Sequence, residues 1–263
     1  MATLTFGEGV LRQADYWATL WRRTWKGVLA TSFLSPFAYV LAMGVLLGGF
    51  VHADPDKMEG ATSYLAFVVP GLIAAHAMQL AVGETTYPVM GMIKWRPTYR
   101  AMLATPLEAK HVVGAHLATV ALHLAAATGI YALVMAPFGV FATWWGAVLA
   151  WLAQVLVGMA FAVWIYGLTT RITSEEGFGL IFRLGIFPLF LFSGAFFPIS
   201  NLGAVGSAIA KCTPLWQGVN LSRMLALDHI TGWVAGVNAV VLLVLVAAGW
   251  RWAVTGLQRR MIA

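Results

Sequence analysis

Five long stretches of the chain contain no Asp, Glu, Lys or Arg: 27–53, 60–83, 112–170, 184–210 and 229–250. A helix that crosses a membrane needs about 20 apolar residues. Four stretches can therefore hold one span each, and the 59-residue stretch 112–170 can hold two. Pro137 and Gly139 favour a tight turn that divides it. The sequence predicts six spans, over 29–51, 63–84, 112–135, 145–168, 178–198 and 232–254.

The low charge content supports this interpretation. Hydrophobic residues make up 60% of the chain and charged residues only 10%, whereas soluble domains carry about 25% charged residues. So few charges cannot cover a water-exposed surface, which argues against a soluble enzyme, a disordered chain and a nucleic-acid-binding module. The single cysteine, Cys212, excludes an intrachain disulfide.

The distribution of Lys and Arg predicts the topology. Six spans place both termini on one side, and the side richer in Lys and Arg faces the cytoplasm. With the termini inside, twelve such residues are cytoplasmic and only Lys57, Lys211 and Arg223 are outside, with Arg183 left uncounted within span five. We therefore expect a multi-pass protein of the inner membrane with both termini cytoplasmic. This arrangement also explains the basic pI without a nucleic-acid partner.

Residues 1–28 predict an amphipathic helix before the first span. Trp17 and Trp21 recur at helical spacing on one side, while Arg22 and Arg23 fall on the other. Such a helix lies along the inner membrane surface and contacts membrane lipids. The alternative is an ordinary tail that flanks the membrane.

Two segments between the spans carry their own signals. Three prolines divide the cytoplasmic segment 85–111, and they favour a short basic helix at 97–104 that carries Arg100. Such a helix suits a docking surface, and the alternative is a solvated loop whose charges only set topology. On the outer side, Pro198 and Pro214 break the segment 199–231 too often for a crossing. Short helices folded back into the outer leaflet are expected there.

The order of several motifs resembles the permeases of ABC-2-type exporters. In that family the loop after span two has the pattern E-R-G-T-x-E-x-L-x-x-T-P. Its R-G-T falls on Arg96, Pro97 and Thr98, and its T-P on Thr105 and Pro106. Two later elements, S-G-x-F-F-P and a P-L that is followed by an Arg, fall on 193–198 and on Pro214, Leu215 and Arg223. The most similar subgroup is the nodulation-factor and lipo-oligosaccharide export permeases.

The resemblance implies an all-α integral membrane protein with a type V exporter-like architecture: an interfacial N-terminal helix on 1–28 and a six-span domain on 29–263. It implies a homodimer that works with two ABC ATPase subunits and exports an amphipathic cargo: a lipid-linked or lipidated saccharide, a lipid or a hydrophobic drug. ATP and Mg would bind the ATPase, and this chain would bind no cofactor. The sequence contains no Gly-Lys dipeptide and thus no phosphate-binding G-x-x-x-x-G-K-[ST] loop.

The resemblance, together with the polar and aromatic residues of the spans, predicts two sets of site residues. The ATPase-coupling set comprises Glu84, Lys94, Arg96, Pro97, Thr98, Arg100, Thr105 and Pro106. The set for the transport pathway or dimer interface comprises His76, Gln79, Phe190, Ser193, Gly194, Phe196 and Phe197. One departure concerns the coupling set, because Lys94 and Arg100 stand where the family commonly has acidic residues.

No catalytic residue and no metal site are predicted. His116 and His123 lie seven residues apart on one face of span three, and only Glu84 offers a carboxylate near them. We interpret these histidines as groups that hydrogen-bond between helices or line a polar route. A rhomboid-type protease would need a His base beside a nucleophile such as Ser193, and the last span has no interior histidine. A passive channel would need a filter or a charged ring, and neither is evident.

The predicted topology can be tested by cysteine labelling. In a Cys212→Ser background, Lys57→Cys should react with a membrane-impermeant maleimide in intact cells, and Arg100→Cys should react only after the membrane is opened. The charge distribution is the physical reason. Labelling of position 100 from outside, or protection of position 57, would overturn the assignment.

Overall fold

The computed structural model describes residues 4–40 and 58–262, and this part of the chain is helical, without a β-strand. The α-helices are α1 Phe6–Leu11, α2 Ala14–Val40, α3 Tyr64–Thr85, α4 Tyr87–Met90, α5 Thr98–Leu103, α6 Ala109–Met135, α7 Trp144–Thr169, α8 Glu176–Leu180, α9 Phe187–Phe192, α10 Gly203–Lys211, α11 Pro214–Ala226 and α12 Gly232–Ile262. The π-helical segments Gly91–Trp95 and Ile181–Ile186 extend α4 and join α8 to α9. Ala136–Phe138 and Ile199–Leu202 are 3₁₀ helices.

Side-chain caps explain where several helices begin. The hydroxyls of Ser63, Thr143 and Thr213 accept hydrogen bonds from backbone N–H groups in the first turns of α3, α7 and α11. Each bond satisfies a donor that has no partner within the helix. Between α6 and α7, Gly139 adopts a φ of 68°, in the left-handed region that favours glycine. This conformation of Gly139 accounts for the tight turn predicted between spans three and four.

The helix α7 lies at the centre of the bundle. It packs against α3, α6, α11 and α12. A Cβ atom at Gly218 of α11 would collide with Val157 of α7, and one at Gly167 of α7 would collide with Trp252 of α12. Small residues at these crossings let the helix backbones approach closely, which strengthens their van der Waals contact.

The bundle has two ends that differ in charge. At one end α3 and α7 finish, α6 begins, and the rings of Phe6 and Trp250 meet with their centroids 5.8 Å apart. We call it the basic end, because the exposed Arg12, Arg96 and Arg100 belong to the segments there. We call the opposite end, where α3 and α7 begin, the far end.

Four helices in the described residues are long and apolar enough to cross a membrane: Tyr64–Trp95, Ala109–Phe138, Trp144–Thr169 and Gly232–Met261. They coincide with the predicted spans 63–84, 112–135, 145–168 and 232–254. Residues 29–40 of the first predicted span belong to α2. Residues 41–51 of that span, and Lys57, lie outside the described residues.

The end of the fifth predicted span needs correction. The sequence predicts a helix over 178–198, but the helical run α8 to α9 ends at Phe192. Gly194 then takes a φ of 76° and turns the chain, so that residues 193–197 form a bend. The bend packs on α3, since a Cβ at Gly71 would lie 2.7 Å from the Cα of Ala195. The run 176–192 has 17 residues, at the lower limit of the roughly 17–25 that a span requires.

Two other boundaries also differ from the sequence-based ones. Helical structure continues from α3 to Trp95, interrupted at Thr86, so that much of the segment 85–111 extends a span rather than forming a loop. At the N-terminus, α2 runs without a break through residue 28, where the interfacial helix was predicted to end. The segment 199–231 forms a 3₁₀ helix, α10 and α11, and α11 packs against α3, α7 and α12.

The buried guanidinium of Arg223 joins three segments at the far end. Its Nη1 donates to Oε2 of Glu59 at 2.7 Å, its Nη2 to the carbonyl of Gly194 at 2.7 Å, and its Nε to the carbonyl of Phe67 at 3.0 Å. The guanidinium carbon also lies 3.9 Å from the centroid of the Phe67 ring. Only 3% of Arg223 is exposed. A planar group with several fixed donors is suited to serve such a set of acceptors.

Substitution of Arg223 should destabilise the protein. Arg223→Met leaves the carbonyls of Phe67 and Gly194 without this donor, and each unsatisfied buried group costs about 1–3 kcal/mol. We expect the thermal unfolding midpoint of the purified protein to fall by about 5 °C or more. Arg223→Lys should give an intermediate value, because an ammonium cannot reach three acceptors in a fork.

Lys211→Met serves as the control, because this lysine is exposed on α10. Its midpoint should match that of the unmodified protein. Equal midpoints for Arg223→Met and Lys211→Met would show that the Arg223 contacts do not hold the far end together.

Candidate functional site

The docking helix predicted at 97–104 coincides with α5, a six-residue helix at the basic end. Side-chain hydrogen bonds are made near both ends of the helix. Thr98 Oγ1 donates to the carbonyl of Arg96 at 3.1 Å, and Thr105 Oγ1 donates to that of Met102 at 2.6 Å. Tyr99 is fully buried on one face, whereas Arg100 is exposed on the other. The helix is thus anchored to the bundle while it presents a basic surface.

Tyr99 anchors α5 to α6 through His116. The Tyr99 hydroxyl lies 2.6 Å from Nδ1 of His116. Burial raises the pKa of Tyr99, so the phenol stays protonated and donates this hydrogen bond. Nε2 of His116 then carries the ring proton and donates to the carbonyl of Glu84 at 3.3 Å. One chain of hydrogen bonds therefore runs from α5 through α6 to the end of α3.

The Glu84 side chain makes a second contact with α6. Its Oε1 lies 3.3 Å from Nδ1 of His123. The interpretation of His116 and His123 as hydrogen-bonding groups between helices is confirmed, since both reach α3 from α6. Among the described residues, no three His, Cys, Asp or Glu side chains lie close enough together to share a metal ion.

The remaining residues of the coupling set lie around α5 without forming one cluster. Lys94 Nζ lies 3.7 Å from Oε1 of Glu175, and both side chains are about half exposed. This pair connects the extension of α3 to the segment before α8, and its contribution to stability is small because water screens it. Arg96, Pro97 and Pro106 are exposed.

The N-terminal helices pack onto α6. Trp17, which the sequence places in an interfacial helix, is 6% exposed, and its ring centroid lies 4.7 Å from that of His116. Trp17 therefore contacts protein rather than lipid. Trp21, Arg22 and Arg23 are exposed. Gln13 is buried and donates to the carbonyl of His111 at 3.0 Å, which attaches the start of α2 to the start of α6.

The pathway set divides into two groups. His76 is half-buried on α3 with its ring centroid 5.7 Å from that of Tyr131, and Gln79 is exposed. The other members lie near the bend at 193–197. Phe190 and Phe196 meet edge to face with centroids 4.9 Å apart, and Phe197 is half-buried.

Ser193 has a structural role in the bend. Its hydroxyl donates to the carbonyl of Phe190 at 3.0 Å and accepts from the N–H of Ala195 at 3.3 Å. The side chain is buried, and no histidine of the described residues hydrogen-bonds to it. This geometry gives no support to a Ser–His protease site.

Comparison with known proteins identifies the family of this chain. A family model described as ABC-2 type transporter matches residues 15–227. The chain belongs to the ABC-2 type transporter family. It is thus the membrane component of an ABC exporter, and permeases of this family work with an ATPase partner.

The relatives of this ABC-2 permease cover most of its length. It is 31% identical over 220 residues to Nodulation protein J of Rhizobium leguminosarum bv. trifolii, which covers 81% of this chain and 82% of the relative. It is 33% identical over 216 residues to the protein of the same name from R. leguminosarum bv. viciae, covering 79% and 80%. With that of Sinorhizobium fredii the identity is 28% over 250 residues, covering 94% of both chains. No solved structure matches the permease.

Sequence reasoning missed the residues that hold the site in place. Tyr99 lies inside the predicted docking helix, but nothing in the sequence marks it as buried beside His116. Arg223 falls on a family motif, but the distribution of Lys and Arg in the sequence marks it only as a charge outside the membrane. The available signal was its position in α11 among the buried Leu215, Val219 and Leu221.

Loss of the Tyr99 hydroxyl should loosen α5. Tyr99→Phe leaves Nδ1 of the buried His116 without its partner, at a cost of about 1–3 kcal/mol. Since cleavage requires local opening, trypsin should cut after Arg100 about fivefold faster or more in the purified protein. Tyr87→Phe is the control, because Tyr87 is exposed. Equal cleavage rates in the two variants would show that the Tyr99–His116 contact does not hold α5.

Proposed function

We propose that two copies of this permease form the transport pathway of an exporter in the inner membrane, with both termini in the cytoplasm. Two ATPase subunits bind beneath them, and these subunits hold ATP and Mg. The observation that carries the proposal is the family match over residues 15–227. The prediction of an interfacial helix before six spans completes this arrangement, and it places the basic end on the cytoplasmic side.

The α5 helix is the proposed contact with the ATPase. It is exposed on the face that carries Arg100 and anchored on the face that carries Tyr99. A displacement imposed on α5 therefore reaches α3 and α6 through the hydrogen bonds of Tyr99, His116 and Glu84. Lys94 and Arg100 stand where the family commonly has acids, so we expect acidic groups on the ATPase surface that receives α5.

The cargo proposed is an amphipathic molecule: a lipid-linked or lipidated saccharide, a lipid or a hydrophobic drug. The similarity to proteins named Nodulation protein J and the resemblance to lipo-oligosaccharide export permeases favour the saccharide. His76, Gln79 and the aromatic residues Phe190, Phe196 and Phe197 are the proposed lining of the pathway or of the dimer interface. Ser193 and Gly194 hold the bend that carries these phenylalanines.

Charge reversal at α5 tests the proposed coupling. Truncation of one partner of a buried charge pair costs about 2–5 kcal/mol, whereas a charge at the rim of an interface costs far less. In Arg100→Glu, about tenfold less ATPase should co-purify with the tagged permease, while expression and thermal stability stay normal. ATP hydrolysis that responds to cargo should fall in parallel.

Arg259→Glu is the matched control, because Arg259 is exposed near the end of α12. It should retain the ATPase in full. If Arg100→Glu also retains the ATPase and coupled hydrolysis, Arg100 only sets topology and α5 does not dock through it.

A further inference from the structure

An apolar cavity lies between the N-terminal helices and α6. Its volume is about 530 Å³. Small and aliphatic side chains form most of its walls, among them Val10, Leu11, Ala14, Ala118, Leu122 and Ala126. A cavity of this kind matches the hydrocarbon part of a ligand, since apolar walls offer no hydrogen bonds.

A second cavity, of about 450 Å³, lies beside it toward the end of α3. Its walls differ in chemistry, because they combine aromatic rings with hydrogen-bonding groups. The aromatic residues are Tyr16, Trp17, Trp21 and Trp95, and the polar ones include Glu84, Arg96, His116 and His123. Aromatic side chains supply rigid apolar faces beside polar groups, so this cavity suits a ring-shaped polar ligand.

The two cavities are neighbours with a common wall. Trp17, Trp21, Thr119 and His123 line both of them. A single molecule with an apolar chain and a polar head can therefore place its chain in the first cavity and its head in the second. The exposed indole of Trp21 belongs to this common wall.

Hydrogen-bonding groups around the second cavity indicate the chemistry of the ligand's polar head. When the ring of His123 is neutral, the hydrogen bond from Nδ1 to Glu84 leaves Nε2 as an acceptor, and this nitrogen is buried without a partner among the described residues. Nε1 of Trp17 is a buried donor that likewise lacks a partner there. The Glu84 carboxylate adds further acceptor capacity. A head group that both donates and accepts hydrogen bonds matches this set of groups.

A hydroxyl group does both, whereas an ionised phosphate only accepts: Arg96 would attract it, but it would also lie beside the Glu84 carboxylate. We propose that the paired cavities bind a single-chain saccharide amphiphile, with its sugar in the aromatic cavity and its alkyl chain in the apolar one. This inference rests on the proposed function and assigns the cargo a first binding site. The site shares Arg96, Thr98 and His116 with the surroundings of α5, so an occupied site contacts the groups that hold the coupling helix.

Photolabelling of the full chain in lipid nanodiscs tests the site. The probe is hexadecyl glucoside with a diazirine on the alkyl chain, and hexadecyl phosphate with the same diazirine is the matched probe. The glucoside should label the peptides 10–21 and 115–126, and unlabelled hexadecyl glucoside should compete. Labelling of the unmodified protein that is confined to other peptides would overturn the proposal.

Two substitutions sharpen the result. Ala118→Trp fills the apolar cavity and should reduce labelling of these peptides about tenfold, whereas Val240→Trp, at an exposed position of α12, should not. Glu84→Gln removes a charged acceptor, so labelling by the glucoside should fall about tenfold while that by the phosphate does not. Stronger labelling by the phosphate than by the glucoside in the unmodified protein would assign the cavities to an anionic lipid instead.

Failure of the site and failure of the proposed function give different results. If the glucoside stimulates hydrolysis by the co-purified ATPase equally in Ala118→Trp and in the unmodified permease, the proposed binding site is wrong, whereas the proposed exporter function stands. If no ATPase co-purifies while the glucoside labels 10–21 and 115–126 specifically, the proposed exporter function is wrong, whereas the proposed binding site stands.

Discussion

The buried guanidinium of Arg223 is the contact on which the far end of this permease depends. It draws Glu59, the first turns of α3 and the bend after α9 onto α11 through three hydrogen bonds. Because only 3% of Arg223 is exposed, loss of its donors would leave the buried carbonyls of Phe67 and Gly194 unsatisfied, which holds the bend in place. The hydroxyl of Tyr64, which donates to the carbonyl of Phe196 at 3.3 Å, fastens the same bend to the start of α3.

The basic end is built differently, and the difference suits transport. Tyr99 and His116 join α5 to α6, and Glu84 joins α3 to α6 through His123, but the cavity beside these groups leaves the N-terminal helices partly separate from α6. One end of the bundle is thus fixed by a buried charge, whereas the other combines an anchored, exposed helix with open space. Work received by α5 would act on the end that has room to move.

Much of this fold follows from the sequence, because a membrane span is defined by the absence of charge. Four spans, the tight turn at Gly139 and the short helix α5 depend on local patterns of charge, proline and glycine. The end of α9 does not, since the left-handed conformation of Gly194 is fixed by contacts with α3 and Arg223 that lie far away in sequence. The same holds for Trp17, whose periodicity is that of a lipid-facing residue although its neighbour in space is His116.

We propose that this chain moves an amphipathic cargo across a membrane with energy from a separate ATPase. Transport of a fluorescent alkyl glucoside into inside-out proteoliposomes that contain the permease and its ATPase tests it most directly. We expect accumulation that requires Mg-ATP and stops when either protein is omitted. Equal movement without ATP, as a passive channel would give, would contradict it.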